Sequence, residues 1–268
     1  MTASARSLGA GVLHPGTAAT RFSLNRHRPP EDLAPFVDFC WVVRWDLSGE
    51  PAHEQAILPH PNVNLAFEAG GPAVYGIDRR VFTRKISGAG AVLGIRFRPG
   101  GFRPFYSAGK ISALNDLVVP AGDIFGPAAD QACAAVLASS SDEAMIAAGA
   151  GLLRAAGPRP DPVIDQVAAI VDRITADQGL RRVASLADVF GIPERRLQRL
   201  FAEYVGVSPK WVMRRARLHE AAQCADAGGD VDWATLAADL GYADQAHLTR
   251  DFTATLGVPP SRYAAEGR

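Results

Sequence analysis

Leu186-Ala187-Asp188-Val189-Phe190-Gly191-Ile192 and Leu236-Ala237-Ala238-Asp239-Leu240-Gly241-Tyr242 are two versions of one pattern. The match continues in Leu197-Gln198-Arg199-Leu200-Phe201 against Leu248-Thr249-Arg250-Asp251-Phe252, and in Gly206-Val207-Ser208-Pro209 against Gly257-Val258-Pro259-Pro260. The offset is 50 residues through the glycine of the turn and 51 beyond it. Each copy is a short apolar-periodic segment, a glycine turn and a second periodic segment closed by Gly-x-x-Pro. That pattern predicts a helix-turn-helix, twice. Two such units on one chain are expected to place two helices in successive major-groove faces of one DNA duplex.

The stretch from Pro209 to Asp226 reads as one linking helix with Val212, Ala216, Leu218 or His219, and Ala222 on its apolar side and Trp211 as an anchor. At about 1.5 Å per residue such a helix spans about 27 Å. With its flanking turns it separates the units by close to the ~34 Å pitch of the duplex, so a single chain suffices as an asymmetric reader.

Net charge is zero, with 28 Lys+Arg against 28 Asp+Glu, but the distribution is uneven. Residues 181–217 hold nine Lys/Arg and three Asp/Glu, a net of +6, whereas residues 218–268 hold three and eight, a net of −5. The first unit therefore carries the basic footprint of a phosphate-binding surface, and the second is expected to add less affinity.

On the first unit, Glu194, Arg195, Gln198 and Arg199 share a polar face, because steps of three and four residues bring helical side chains together. Arg195 and Arg199 are predicted to fork onto guanine O6/N7 and Gln198 to pair adenine N6/N7, each worth roughly 1–3 kcal/mol of discrimination. Leu197, Leu200 and Phe201 form the inward face. Arg196, rotated off the reading face, is a phosphate candidate, as are Lys210, Arg214 and Arg215 on the outer side of the linking helix, with Arg217 beside them. In the second unit Gln245, His247 and Arg250 are the candidate base readers and Thr249 a phosphate contact, with Ala246 between them. Asp239, Asp244 and Asp251 are expected to repel phosphate, and pairing of Arg250 with Asp239 or Asp251 is the competing assignment for that residue.

These residues resemble the DNA-binding domain of the AraC/XylS family of transcription regulators over residues 163–264. The resemblance rests on Gly241-Tyr242-Ala243-Asp244, Leu248, Arg250, Phe252, Gly257, Pro259-Pro260 and Tyr263, and on Pro209-Lys210-Trp211-Val212, Arg217-Leu218 and Ala221-Ala222. It implies seven helices, double-stranded promoter DNA as partner, contact with RNA polymerase, and control of transcription, usually activation. Ala246, where a polar reader is common, and Val212, where an aromatic is usual, depart from the pattern and leave base readout by the second unit open.

Ahead of these units the texture differs. The expected fold class is α+β: a mixed, barrel-like β domain with Ala-rich helices, followed by an all-α domain of two helix-turn-helix units joined by a long helix. Residues 1–20 read as a loose segment, 21–156 as a sensory or oligomerisation domain, 157–161 as a linker and 162–268 as the DNA-binding domain. Strands are expected at Val37–Val43, Val63–Phe67 and Val92–Phe97, and helices at 127–138 and up to 156, the latter capped by Ser141 or Asp142. Gly157-Pro158-Arg159-Pro160 breaks helix continuity, and Asp161-Pro162 restarts it with an N-cap and a proline at the first position. Ile57–Leu65 and Leu93–Phe102 resemble a poorly characterised domain found ahead of AraC-type modules, which implies sensing or assembly without naming a ligand.

A small-molecule effector and a homodimer are therefore possible partners. Trp41, His60, Asn64, Arg96 and Arg98 are the candidate ligand residues, together with Trp45 and Asn62. Arg96 and Arg98, two apart on one strand, are expected on one face, suited to an acidic or aromatic ligand. The competing reading makes Trp41 and Phe97 core and pairs the arginines with Asp78, Glu54 or Glu68. No metal is expected: His53 and His60 lack a third ligand at useful spacing, there is no His-x-His, and Cys40, Cys133 and Cys224 lie far apart as free thiols. No cofactor and no enzymatic activity are expected, in the absence of a Gly-rich phosphate loop, a Gly-x-Ser-x-Gly elbow or a cysteine cluster of the DNA-repair methyltransferase kind. No apolar run reaches the ~18 residues of a membrane span and no secretory h-region opens the sequence, so a cytoplasmic protein is expected. A regulator acting mainly through protein contacts, with weak DNA binding, is the alternative function.

Overall fold

The computed structural model describes residues 11–177 and 179–267. The N-terminal half is mostly β. A six-stranded sheet runs in the order β1-β2-β7-β4-β5-β8, and β3 and β6 form a separate two-stranded sheet. The strands are β1 (Ser23–His27), β2 (Val37–Leu47), β3 (His53–Ile57), β4 (Asn64–Phe67), β5 (Ala73–Tyr75), β6 (Phe82–Ile86), β7 (Gly88–Phe97) and β8 (Val118–Pro120). All pairings among them are antiparallel.

Alternation along β2 decides what each face of the large sheet meets. Cys40 and Val42 are buried toward the helices α3 (Ala128–Leu137) and α4 (Asp142–Ala155), which follow the short α2 (Gly122–Phe125). Leu93 and Ile95 of β7 point the same way, and Gly149 of α4 lies against both and against Phe67. Ser141 caps α4 by accepting from Ala144 N at 3.2 Å, and Asp142 is held by Arg44 at 2.7 Å and His27 at 2.9 Å, which pins the start of the helix to the sheet. The opposite face of the sheet carries Phe39, Trp41, Val43 and Trp45.

That second face is built from tryptophan–glycine pairs. Trp41 is in register with Gly94 and Trp45 with Gly90. A Cβ at Gly94 would fall inside the Trp41 indole, and one at Gly90 would press on that of Trp45. Each ring lies flat across the neighbouring strand because no side chain stands there.

The segment before β1 departs from expectation. Residues 11–20 are structured, with α1 (Pro15–Ala18), a bridge between Val12 and Ile57, and buried Leu13 and Ala18. Residues 1–10 lie outside the described residues.

Among the described residues, seven α-helices follow: α5 (Pro162–Ala176), α6 (Val183–Phe190), α7 (Glu194–Leu200), α8 (Pro209–Asp226), α9 (Trp233–Asp239), α10 (Gln245–Leu256) and α11 (Pro260–Glu266). Asp161 caps α5 through Val163 N at 2.9 Å, with Pro162 in the first turn. Gly191 and Gly241 take the left-handed conformation, φ 60° and 76°, at the two helix-turn-helix bends. Beyond α7 the chain makes a π-helical turn, Phe201–Val205, before Gly206. The first unit shares one continuous apolar core with the sheet domain, reaching from Leu33 to Met213. The second is organised around a separate cluster of Leu218, Ala222, Leu240, Leu248, Phe252 and Tyr263, joined by Leu13 and Leu58.

Gly94→Val is expected to displace the Trp41 ring and cost about 1–3 kcal/mol, as overpacking does, seen as a clear fall in Tm. Gly109→Ala, where no atom lies within 4 Å, should leave Tm almost unchanged.

Candidate nucleic-acid interface and ligand cavity

The helix-turn-helix units present their second helices to solvent. On α7, Leu197 is fully buried while Arg195, Arg196, Gln198 and Arg199 are exposed. On α10, Leu248 and Phe252 are buried while Gln245, Ala246, His247 and Arg250 are exposed and Thr249 is half-buried. Asp244 caps α10 by accepting from His247 N at 2.6 Å, and the His247 ring meets Tyr242 edge-on at 5.1 Å. Among the described residues, no hydrogen bond or ion pair engages the side chains of Arg195, Arg196, Gln198, Arg199, Gln245 or Arg250. Arg250 is thus not paired with Asp239 or Asp251.

Of the three acidic residues expected to repel phosphate, Asp244 and Asp251 have internal partners. Asp244 is a cap. Asp251 is ion-paired to Arg214 at 2.7 Å and accepts from the Tyr242 hydroxyl at 3.1 Å. Arg217 stacks over the Tyr242 ring at 4.8 Å. Both arginines on this side of α8 fasten the second recognition helix to the linking helix. Arg214, expected on phosphate, is spent mainly on this internal pair.

Arg215 turns inward. It is 3% exposed, not on an outer face. Its guanidinium stacks on Trp211 at 4.5 Å and donates to Arg79 O at 2.8 Å, and desolvation pulls its pKa down to about 10. One turn further on, His219 is buried, donates from Nε2 to Pro59 O at 3.3 Å, and stacks on His60 at 4.0 Å with 10° between the rings. Desolvation, with Arg215 nearby, lowers the His219 pKa to about 3, so the ring is neutral at physiological pH. Pro59 O can only accept, which places the proton on Nε2. Trp211, Arg215 and His219 follow at steps of four and form the stripe of α8 that faces the sheet domain. Lys210, at the start of α8, stays exposed.

The first unit is docked on the sheet domain at further points. Arg103 pairs with Glu203 at 2.8 Å, and Asn115 donates to Gly206 O at 2.7 Å. A side chain at Gly206 would press on Ile77 and Ile111, and its φ of 97° also favours glycine there.

A cavity of about 260 Å³ lies between the Trp41/Trp45 face of the large sheet and the β3–β6 pair, closed by Gly11, Val12 and residues 58–62. Its wall is mostly apolar and aromatic, with Phe22, Phe39, Trp41, Trp45 and Phe82 in it. At one end Arg26 and Arg96 each lie over the Phe39 ring, at 4.8 and 5.1 Å. Arg96 donates to Asn62 Oδ1 at 2.8 Å and faces Asp38 at 3.2 Å. Burial lowers the pKa of both arginines, that of Arg96 to about 10. Elsewhere in the wall Glu68 accepts from the Tyr75 hydroxyl at 2.7 Å and is ion-paired to Arg84. Trp41 Nε1 donates to Asn64 Oδ1 at 3.4 Å.

Trp41, His60, Asn64 and Arg96, with Trp45 and Asn62, thus line one cavity. Arg98 does not. β7 ends at Phe97, Arg98 N bonds to Phe36 O, and the chain turns at Gly100, so the alternation that links residues i and i+2 has stopped. Arg98 pairs instead with Asp165 of α5 at 2.9 Å. Phe97 is core, and neither arginine takes the partners Asp78, Glu54 or Glu68. Sequence reading passed over Arg26 and Arg84, although the period-2 runs Leu24/Arg26 and Phe82/Arg84/Ile86 place both on the cavity side. His53 lies by Gln55 Oε1 at 3.2 Å, away from the His60–His219 stack. Among the described residues no group of three His, Cys, Asp or Glu is disposed to hold a metal, and no helix is long and apolar enough to cross a membrane.

Residues 25–120 match the family described as Domain of unknown function (DUF6597), and residues 186–266 match the family Helix-turn-helix domain. No curated protein matches the chain. Similar solved structures include ToxT from Vibrio cholerae in a 1.65 Å form, at 14% identity, covering 91% of this chain and 98% of that one, TM-score 0.41. Others are ToxT with bound unsaturated fatty acid (14%, 91% and 95%, TM-score 0.39) and with (E)-4-(8-methylnaphthalen-1-yl)but-3-enoic acid (12%, 92% and 100%, TM-score 0.43). At these TM-scores the likeness carries nothing about what this chain binds. The repeated helix-turn-helix, its helix order and the two family matches together show a chain that joins a domain of unknown function to a helix-turn-helix domain.

Proposed function

We propose that this protein is a sequence-specific regulator of transcription, an activator by the resemblance of its C-terminal half. In this reading its two recognition helices read successive major-groove faces of promoter DNA and its N-terminal cavity takes a small-molecule effector. The observation that carries the reading is the contrast between helices. The arginines of α8 are drawn into internal contacts, whereas Arg195, Gln198 and Arg199 on α7, and Gln245, His247 and Arg250 on α10, stand exposed. Side chains left on one solvent face beside a basic footprint are suited to base edges, and Arg196 and Lys210 to the flanking phosphates. The ion pair of Asp251 with Arg214 offsets one of the carboxylates whose repulsion favoured a regulator working through protein contacts alone.

The cavity wall suits a compact ligand with an apolar or aromatic body and an anionic group set near Arg26 and Arg96. Both guanidiniums lie over the Phe39 ring, and that of Arg96, drawn out of water, can donate to an anionic group at that end.

Selection of bound sequences from random DNA, followed by titration across salt, tests the DNA reading. Arg199→Ala is expected to lose about 1–3 kcal/mol of preference at one position of the selected site. Lys210→Ala should weaken all sequences alike and lower the salt slope by about 1. Arg215→Met should leave the salt slope unchanged and alter Tm instead, because its side chain faces the sheet domain. Equal loss on every sequence in Arg199→Ala would refute readout by α7. For the cavity, 2-naphthoate is expected to quench the fluorescence of Trp41 and Trp45, with Arg96→Met weakening it and naphthalene-2-methanol binding less well. Equal affinity for acid and alcohol would refute the anionic end.

A further inference from the structure

His60 belongs to two structures at once. The residue lines the cavity, and its ring stacks on His219 in the middle of α8. The strand-like segment that carries it is stiff. Pro59 and Pro61 flank it, so their φ angles are fixed and His60, preceding a proline, is confined to extended backbone. Its ends are tied: Leu58 N donates to Gly11 O at 2.8 Å, and Asn62 Nδ2 to Phe97 O at 2.7 Å. Gly11 backs the His60 ring so closely that a Cβ would sit 3.1 Å from Nε2. A ring held between Gly11 and His219 has little freedom to yield to a cavity occupant without moving the segment or the helix. Helix α8 in turn bears the first helix-turn-helix at its N-terminal end and the second at its C-terminal end.

We propose that His60 is the positioning residue that couples occupancy of the cavity to the setting of α8, through its stacked contact with His219, and so to the relative placement of α7 and α10. The inference rests on the reading of the chain as a DNA-binding regulator with an effector cavity. Pressure on His60 is passed to the α8 stripe of Trp211, Arg215 and His219. The bonds Arg215 to Arg79 O and His219 to Pro59 O offer that stripe two fixed points about one helical turn apart. A shift of α8 about those points changes the spacing of the two readers, to which a two-site DNA contact is sensitive.

The test uses the full chain and an occupant built into the protein. Ala66, on the cavity wall, is replaced in Ala66→Phe, and Val43→Trp fills the same space from β2 if the first variant does not fold. Kd for the selected DNA site is measured with and without the filling substitution, in the native background and in His219→Leu and His219→Phe. Filling is expected to change Kd by about fivefold or more in the native background, within the usual range of allosteric coupling. In His219→Leu it should change Kd by less than about twofold, the scatter of independent sites. His219→Phe, which keeps a ring over His60 and loses only the bond to Pro59 O, should retain the response. The same shift in native and His219→Leu backgrounds, or no shift in either, overturns the coupling. Loss of the response in His219→Phe as well assigns it to the Pro59 bond and overturns the stack. If the unmodified chain selects no DNA sequence, the functional reading falls and the proposal falls with it. Sequence selection that survives beside purely additive variants overturns the coupling alone.

Discussion

Helix α8 is packed along its length against two different bodies, and the rest of the molecule is arranged around that constraint. Its Trp211–Arg215–His219 stripe lies on the sheet domain, while Leu218, Ala221, Ala222 and Ala225 enter the core of the second helix-turn-helix. A helix with little surface left free cannot turn independently of either partner. The exposed helices α7 and α10 are therefore held by the same element that packs on the sheet domain, and the two halves of the chain share packing and not only a peptide linker.

The electrostatics follow from that arrangement. Arg214, Arg215 and Arg217 look in sequence like a phosphate-binding row, yet each is used internally, on Asp251, on the Arg79 carbonyl with Trp211, and on Tyr242. Guanidinium suits this role because it stacks on aromatic faces and is weakly hydrated, so its desolvation is offset by planar contacts. Exposed positive charge remains at Arg181 and Arg182 ahead of α6, on α7, at Lys210 and at Arg250 of α10. In the second unit Asp251 is offset by its ion pair with Arg214, whereas Asp244 keeps its charge as a helix cap and Asp239 stays exposed.

The helical half was legible because its signals are local. Glycine bends at 191 and 241, the caps at Ser141, Ser208 and Asp161, prolines at first helical positions and leucine periodicity act within a few residues. The expected linking helix coincides with α8 at both ends. In the sheet domain the strongly apolar strands β2, β4 and β7 were readable, whereas β1, β3, β5, β6 and β8 are short or polar and owe their strand character to neighbours. The glycines of β7 gave no sign in one dimension that they stand beneath Trp41 and Trp45.

Spacing along the chain marked, without any coordinates, two helix-turn-helix units, which residues of each face outward, and a candidate ligand set of Trp41, His60, Asn64, Arg96 and Arg98. Only the tertiary structure decided that Arg98 leaves the cavity, that Arg215 turns inward and that His60 meets His219. The first depends on where a strand stops, and the other two on which body packs against a helix face. Periodicity says that a face exists, but the partner for that face comes from residues more than a hundred positions away, and nothing local encodes it.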